Sequence, residues 1–430
     1  LCYLFSSNDL IGMGSTRKKR ESTKRVNRNM LALVFLLLAS SMFGAYQLYW
    51  QPKQKKEEAR AALEKADRLL GQNRQQEAVD GYREATALDP SLAQAWNSLA
   101  VIEVSGQRMQ EALPFFNQAL DLDANFFEAQ VGRAIAYEGL GRFLEAESDY
   151  KKALSLRPNF GGVHYNLGYL YQQQGLYRDA ESHYQESLRL LPNLLQALAN
   201  LGAVYDLLQD PGKAVATYKR ALAAHPNEGP IHARLGKSYM KLQDYQRART
   251  AYLRAIELDA VDALIYHDLG VISEQTDDLK QAEEYFNRAL SANPSHADSY
   301  QKLGVVTAAL GYPDQGAGYY QKAIRLDPTH ATAHYNLAQH YFAQGRSAEG
   351  RELMEVFAGL KEYEGRLVTL KRGVNRNPRD SQASYQLAQL HLRFGKVKEA
   401  VAVLQRTLQI DPSFQAAQRS LEEIERLSRQ

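Results

Sequence analysis

Asparagine and tyrosine side chains recur in this chain at a spacing that could bind a peptide. Asn166 and Asn200 are 34 residues apart, and Asn336 lies four such intervals further on. Tyr165 and Tyr335 directly precede two of these asparagines. An asparagine amide can bond both the N–H and the C=O of an extended backbone, and tyrosine offers rigid contact area. We therefore predict a row of peptide contacts, which needs a regular scaffold to present it.

Histidines are the best candidates for metal or catalytic chemistry. His330 and His334 are four residues apart and could share a helix face, but metal ligation needs a third ligand and an orienting shell. His164 and His232 precede His334 by multiples of 34, and this recurrence favours a packing role. The sequence has no Gly-rich phosphate loop, no GxSxG elbow and no HExxH helix, and Cys2 is its only cysteine. We predict no enzymatic activity, no catalytic residue, no cofactor and no metal site.

Proline sets the period of the scaffold. Its spacing is a multiple of 34 over most of the chain, with Ala124 and Ala260 filling two gaps. A fixed period of this size indicates one supersecondary unit stacked many times. Proline ends a helix because it lacks an N–H and restricts the preceding residue. The first series is Pro90, Pro158, Pro192, Pro226, Pro294 and Pro328, and a second is Pro378 and Pro412.

The other recurring residues predict a pair of helices in each unit. When the proline is numbered 32 within its unit, position 8 is alanine or glycine and position 24 is tyrosine or phenylalanine, as at Gly202 and Tyr218. Small residues let two helix backbones approach closely, and the aromatic ring fills the space beside them. Glycines such as Gly175 mark the turn between the helices.

This pattern resembles the tetratricopeptide repeat (TPR) family, a helix–turn–helix of 34 residues. The segment WNSLAVIEVSGQRMQEALPFFNQALDLD carries it clearly. The resemblance implies an all-α fold, a right-handed TPR superhelix (α-solenoid), in which the first helices line a concave groove. In that family, positions 2, 5, 6, 9, 12 and 13 usually face the groove. The implied peptide-binding residues are Asn166, Asn200, Asn336, Tyr165, Tyr169, Arg234, Lys237, His267 and Tyr335.

The resemblance implies a non-catalytic scaffold that binds proteins or extended peptides. The NLG and YNL triplets also look like the asparagine ladder in the repeat arm of O-linked N-acetylglucosamine transferases, although Arg234, Asp268 and Lys302 interrupt it. One alternative is therefore the substrate-selecting arm of a protein glycosyltransferase system whose catalytic part lies elsewhere. A mitochondrial-receptor-like import protein is another, but no unit carries the Lys/Asn/Lys/Arg clamp for chaperone C-termini. These groove side chains could also simply solvate helix faces.

An apolar segment near the N-terminus predicts a membrane span. Residues 30–50 contain no charge and would extend about 30 Å as a helix. Tyr46, Tyr49 and Trp50 stand at its far end, as in an aromatic belt. Seven basic residues precede it, so we predict a single-pass membrane protein with a cytoplasmic N-terminus and extracytoplasmic repeats, periplasmic in a bacterium. A signal peptide cleaved near residues 39–41 is the alternative, and it exports the repeats too.

Pro328 and Pro378 are 50 residues apart, so one unit contains an extra or a lengthened helix. The predicted organisation follows from this interruption and from the apolar segment. It comprises a basic arm at 1–29, predicted to be disordered, in which Met13 is the expected natural start and residues 1–12 an over-extended reading frame; a transmembrane helix or signal anchor at 30–50; a linker at 51–58; the TPR array at 59–346; an irregular helical insertion at 347–380; a last TPR at 381–414; and a capping helix at 415–430.

Charge argues against a nucleic-acid partner. The chain has 52 lysines and arginines and 49 aspartates and glutamates. Residues 1–30 hold seven of the basic and two of the acidic residues, which leaves 45 against 47 in the remainder. A nucleic-acid binder would carry a basic excess or stripe. We predict a protein or peptide ligand and a membrane contact through residues 30–50, with no nucleic acid and no small-molecule substrate.

Overall fold

The computed structural model describes residues 33–44 and 46–428. Within them all regular structure is helical, which confirms the predicted all-α repeat array. The chain divides into two compact units, Leu1–Gly132 and Arg133–Gln430. The predicted basic arm lies outside the described residues.

The helices follow one another in pairs. In the first unit they are α1 (Gln51–Gly71), α2 (Gln75–Leu88), α3 (Ala93–Ser105) and α4 (Met109–Leu122), and α5 spans Phe127–Gly139. The second unit continues with α6 (Phe143–Leu156), α7 (Gly161–Gln173), α8 (Tyr177–Leu190), α9 (Leu195–Leu207), α10 (Pro211–Ala224), α11 (Gly229–Lys241), α12 (Tyr245–Glu257), α13 (Ala263–Gln275), α14 (Leu279–Ala292), α15 (Ala297–Ala309), α16 (Pro313–Leu326), α17 (Ala331–Ala343), α18 (Ser347–Arg376), α19 (Ser381–Arg393), α20 (Val397–Ile410) and α21 (Gln415–Ser428).

The apolar N-terminal segment is helical where it is described. Residues 33–44 form a helix, and a π-helical turn at Tyr46–Trp50 runs directly into α1. The predicted linker at 51–58 is therefore the beginning of α1. By length and composition, the helix Leu33–Gly71 is apolar enough to cross a membrane, a test that a signal sequence also passes. Residues 30–32 of the predicted span lie outside the described part.

Each turn inside a helix pair is closed by a residue with left-handed backbone at position 15. Gly175 has φ of 67°, and the N–H of Leu176 donates to the carbonyl of Tyr171 at 2.8 Å. This is the Schellman arrangement that ends many helices. Gln209 adopts the same conformation with φ of 60°, so the turn does not require glycine.

The small residue at position 8 and the ring at position 24 form the contact that joins the two helices of a pair. Gly202 lies against Tyr218, whose side chain is 0% exposed. A Cβ at Gly202 would stand 2.4 Å from the ring. Alanines at positions 20 and 27, such as Ala214 and Ala221, are also fully buried and keep the second helix close.

The predicted irregular insertion is a single long helix, α18, of 30 residues. Its first part pairs with α17, where Phe342 covers Gly350. Its second part buries Leu360 and Tyr363, and the Tyr363 hydroxyl bonds Nδ1 of His391 in α19 at 2.9 Å. One lengthened helix therefore carries the array from α17 to α19.

The last helix, α21, covers the end of the array. Ala417 is fully buried with Leu404 of α20, and Phe414, Leu421 and Ile424 pack around them. Leu427 is exposed, so the apolar face of α21 ends before it.

Within the second unit, a helix near the C-terminus also contacts a turn near the start of that unit. The guanidinium of Arg406 in α20 lies against Gly175, in the turn between α7 and α8. Burial at this contact lowers the pKa of Arg406.

Candidate peptide-binding groove

The first helices of successive pairs contact one another as well as their own second helices. In the second unit this holds for α7 with α9, α9 with α11, α13 with α15, and α15 with α17. Polar bridges connect them at intervals of 35 residues: Gln173 to Glu138 (2.9 Å), Asn200 to Tyr165 (3.4 Å), Arg234 to the Ala199 carbonyl (3.4 Å) and Lys241 to Asp206 (3.0 Å). The first-helix side is therefore the inner face of the stack, which we call the groove.

Two of the predicted asparagines lie against tyrosines of the scaffold. The amide of Asn166 stands beside the hydroxyl of Tyr150, the position-24 ring of the preceding unit, and opposes the rise in the Tyr150 pKa that burial causes. Asn200 stands beside Tyr184 in the same way, and its amide donates to the hydroxyl of Tyr165 at 3.4 Å. The Asn200 amide is therefore already engaged within the scaffold, and a peptide would have to share it.

The tyrosine hydroxyls at position 24 reach the floor of the groove and bond acidic or amide groups there. The Tyr150 hydroxyl donates to Glu138 at 2.9 Å, and the Tyr184 hydroxyl donates to Gln172 at 2.8 Å. Burial raises the pKa of both phenols and also that of Glu138. These hydroxyls are therefore neutral hydrogen-bonding groups at any physiological pH.

Sequence reasoning missed Asp206, the most connected polar residue of the groove. Its carboxylate accepts hydrogen bonds from the hydroxyls of Tyr218 (3.3 Å) and Ser238 (2.9 Å) and from Nζ of Lys241 (3.0 Å). The available signal was that position 12 is acidic at both Glu138 and Asp206. Asp206 therefore links α9 to α10 and α11.

Of the predicted tyrosines, Tyr169 is the most open to solvent. Its side chain is 41% exposed. Tyr335 is 39% exposed, but its ring packs on Phe357 of α18 with centroids 5.2 Å apart. The ring of Tyr165 lies on that of Tyr184, and its hydroxyl accepts a hydrogen bond from the Asn200 amide. Asn336 is half-buried beside Tyr335.

His267 belongs to the packing between units. Its Nδ1 lies 2.9 Å from the hydroxyl of Ser299, and its ring packs on Phe286 and His296. Burial, with the nearby His296, lowers the pKa of His267 to about 4. The imidazole is therefore neutral at physiological pH and acts as a hydrogen-bonding aromatic group.

Arg234 and Lys237 are exposed on α11. Among the described residues, neither has a carboxylate within 4 Å, whereas the neighbouring lysines Lys241 and Lys302 pair with Asp206 and Glu274. The site predicted from sequence thus separates into two groups. Six residues lie against the scaffold (Asn166, Asn200, Asn336, Tyr165, Tyr335 and His267), and three face solvent (Tyr169, Arg234 and Lys237).

The histidines at position 4 have a structural role. Nε2 of His232 lies 3.0 Å from the carbonyl of Pro226, and His334 and Pro328 repeat the contact at 2.9 Å. Nε1 of Trp96 donates to the carbonyl of Pro90 in the same way. The position-4 side chain therefore satisfies the carbonyl of the proline that precedes its helix. In the described part of the chain no three His, Cys, Asp or Glu residues are placed to hold a metal ion.

Comparison with known families identifies the repeat. Family models described as tetratricopeptide repeat match residues 63–125, 125–193, 159–227, 234–297, 302–364 and 369–413. The chain belongs to the tetratricopeptide repeat family. No curated protein matches it.

Several solved TPR structures are similar to parts of the chain. MamA shares 26% identity, covering 39% of this chain and 97% of MamA, with a TM-score of 0.35. PilF of Pseudomonas aeruginosa shares 19% identity, covering 51% of this chain and 98% of PilF, with a TM-score of 0.44. YrrB, described as a TPR protein with an unusual peptide-binding site, shares 16% identity, covering 56% of this chain and 97% of YrrB, with a TM-score of 0.34.

Proposed function

We propose that this TPR protein is a non-catalytic scaffold whose groove binds an extended segment of a partner protein. The observation that carries the proposal is the row of solvent-facing side chains on α7 and α11, namely Tyr169, Arg234 and Lys237. They stand on helices whose other faces are buried against the scaffold. Such an array presents preformed contacts to a ligand at little cost in ordering.

The rigidity of the groove supports this proposal. The tyrosine and acidic groups of its floor are bonded to their neighbours, as at Tyr150–Glu138 and Asp206–Lys241. A peptide would therefore contact a fixed surface. It would compete with the hydrogen bonds of the floor only at the edges of that surface. We expect tyrosine contact area and charge to contribute more to affinity than the asparagine amides.

Photo-cross-linking tests the location of the binding face. A benzophenone amino acid placed at Tyr169 should cross-link the partner in cells. The same group at Ala216, exposed on the second helix α10, is the matched control and should give no adduct. Adducts from Ala216 and none from Tyr169 would place the binding face on the outer side and refute the proposal.

We further propose that the apolar N-terminal segment tethers the repeats to a membrane, with the repeats outside the cytosol. The helix Leu33–Gly71 supports a span, and the basic residues before it support the orientation. Protease added to intact spheroplasts should digest the repeats. Repeats that survive until the membrane is broken would contradict this orientation, and repeats recovered in the soluble fraction without residues 1–41 would indicate a cleaved signal instead.

A further inference from the structure

The junction between α12 and α13 departs from the regular pattern. Among the described residues, every residue with left-handed backbone stands at position 15 of its unit, except Asp259, with φ of 58°. The N–H of Ala260 donates to the carbonyl of Ala255 at 3.0 Å, so a Schellman arrangement ends α12. Proline, which the other junctions mostly carry at this position, could not make that bond.

A cavity of about 450 Å³ opens beside this junction, between α11 and α13. Pro230, Val261 and Leu264 form its apolar wall, and Val261 and Leu264 are 52% and 49% exposed. Two large aliphatic side chains thus face solvent inside the groove. We call this cavity the α11–α13 pocket.

Some of the charged side chains that line the pocket are already engaged within the protein. Of its carboxylates, Asp268 is bonded to the Tyr252 hydroxyl, and Asp262 caps α13 by accepting from the N–H of Leu264 at 3.3 Å. Arg234 and Lys237 also line the pocket, and neither is paired with a carboxylate among the described residues. The exposed Asp259 also lines the pocket. Lys237, and the Arg234 N–H groups that do not bond the Ala199 carbonyl, are therefore the cationic groups available to a ligand.

We propose that the α11–α13 pocket binds an internal segment of an extended peptide that carries an aliphatic and an acidic residue two positions apart. The aliphatic side chain fills the cavity against Val261 and Leu264, and the carboxylate binds Arg234 and Lys237. This inference rests on the proposed function of the groove and specifies which sequences it accepts.

The spacing follows from helix packing. Neighbouring helix axes are about 8–10 Å apart, so the cations on α11 and the aliphatic wall on α13 require ligand groups several ångströms apart. Side chains two positions apart on an extended chain lie on one face, about 6–7 Å from each other. The groove continues on both sides of the pocket, because α9 contacts α11 and α15 contacts α13. A segment that passes through fits this surface better than a chain end.

Methyl NMR on the full chain in detergent micelles tests the proposal. The probe is a fluorescein-labelled Gly-Ser-Gly-Leu-Thr-Glu-Gly-Ser-Gly peptide, blocked at both ends. It should shift the methyl resonances of Val261, Leu264 and Ile265. Replacing its glutamate with glutamine should weaken binding at least tenfold, because charge-assisted bonds are about twice as strong as neutral ones and the ion pairing is lost.

Charge reversal supplies the matched control. The double variant Arg234→Glu and Lys237→Glu should bind the glutamate peptide at least tenfold more weakly and should prefer a peptide with lysine at that position. Lys280→Glu, at an exposed lysine of the second helix α14, should change neither the affinity for the glutamate peptide nor the preference between the two peptides. Circular dichroism should show that all variants keep their helix content.

Four results would overturn the inference: no binding of the glutamate peptide, equal affinity for the glutamine peptide, methyl shifts confined to other parts of the groove, or tighter binding of a peptide ending in a free leucine carboxylate. If only this inference fails, Tyr169 still cross-links the partner and the charge reversal leaves partner binding unchanged. If the groove proposal fails, Tyr169 gives no adduct.

Discussion

Replacing Gly202 with alanine tests the close packing on which the whole array depends. Gly202 lies inside α9, where alanine would stabilise the helix by about 0.5–1 kcal/mol. The added Cβ would stand 2.4 Å from Cε1 and 2.6 Å from Cζ of Tyr218, a ring that is fully buried. Forcing a methyl group into such a site costs about 1–3 kcal/mol. We therefore expect net destabilisation of up to about 2 kcal/mol.

The matched control is Gly318→Ala, inside α16. There no described heavy atom lies within 4 Å of the position that the Cβ would occupy, so only the helix-propensity gain remains. The two variants should differ by about 1–3 kcal/mol in unfolding free energy. Ala134 stands opposite Tyr150 at the equivalent positions, which shows that a ring can adapt and favours the lower half of this range.

Hydrogen exchange read by mass spectrometry suits the measurement, because repeat arrays open locally. In Gly202→Ala the amides of α9 and α10 should exchange up to about thirty times faster, since about 1.4 kcal/mol corresponds to a factor of ten. Exchange elsewhere should change little. If Gly202→Ala slows exchange as Gly318→Ala does, the ring does not pack closely on position 8 and the reasoning is wrong.

Three further predictions concern the floor of the groove. Tyr150→Phe should lower the unfolding free energy by about 0.5–1.5 kcal/mol, because the half-buried Glu138 loses the hydrogen bond from the hydroxyl; urea unfolding would measure it, and an unchanged midpoint would contradict it. Asn200→Ala should destabilise the array by a similar amount, whereas Asn336→Ala should be nearly neutral; equal effects in thermal unfolding would refute the bonded role of Asn200. His267 has a folded pKa of about 4 against about 6.5 when unfolded, so the unfolded chain binds more protons between these values and stability should fall as pH drops through them. The loss attributable to His267 should approach roughly 3 kcal/mol, and a His267→Gln variant with the same pH slope would show that the histidine is not responsible.

The repeat period and its packing could be predicted from the sequence because they depend on residue size and on proline. Gly202 and Tyr218 had to meet if two helices were to pack, and the structure places them in contact. The long interval between Pro328 and Pro378 located α18, although only the structure distinguishes one long helix from two.

The chemistry of the groove was harder to predict, since it depends on which polar groups bond each other across units. Asn166 looked like a free amide but lies beside the hydroxyl of Tyr150. A signal was present: position 6 is small at Gly132, where the preceding ring is Phe116 and has no hydroxyl to bond. The left-handed Asp259 could not be foreseen, because Ala124 also replaces proline and yet follows an extended residue, Asp123.

Hydrogen exchange of the full chain in nanodiscs, with and without the partner purified through the Tyr169 cross-link, tests the groove proposal most directly. Binding should slow exchange in the first helices α7, α9, α11 and α13, whose inner faces form the groove. Protection confined to the second helices α8, α10 and α12, or to α18, would show that the partner binds another surface and would contradict the account.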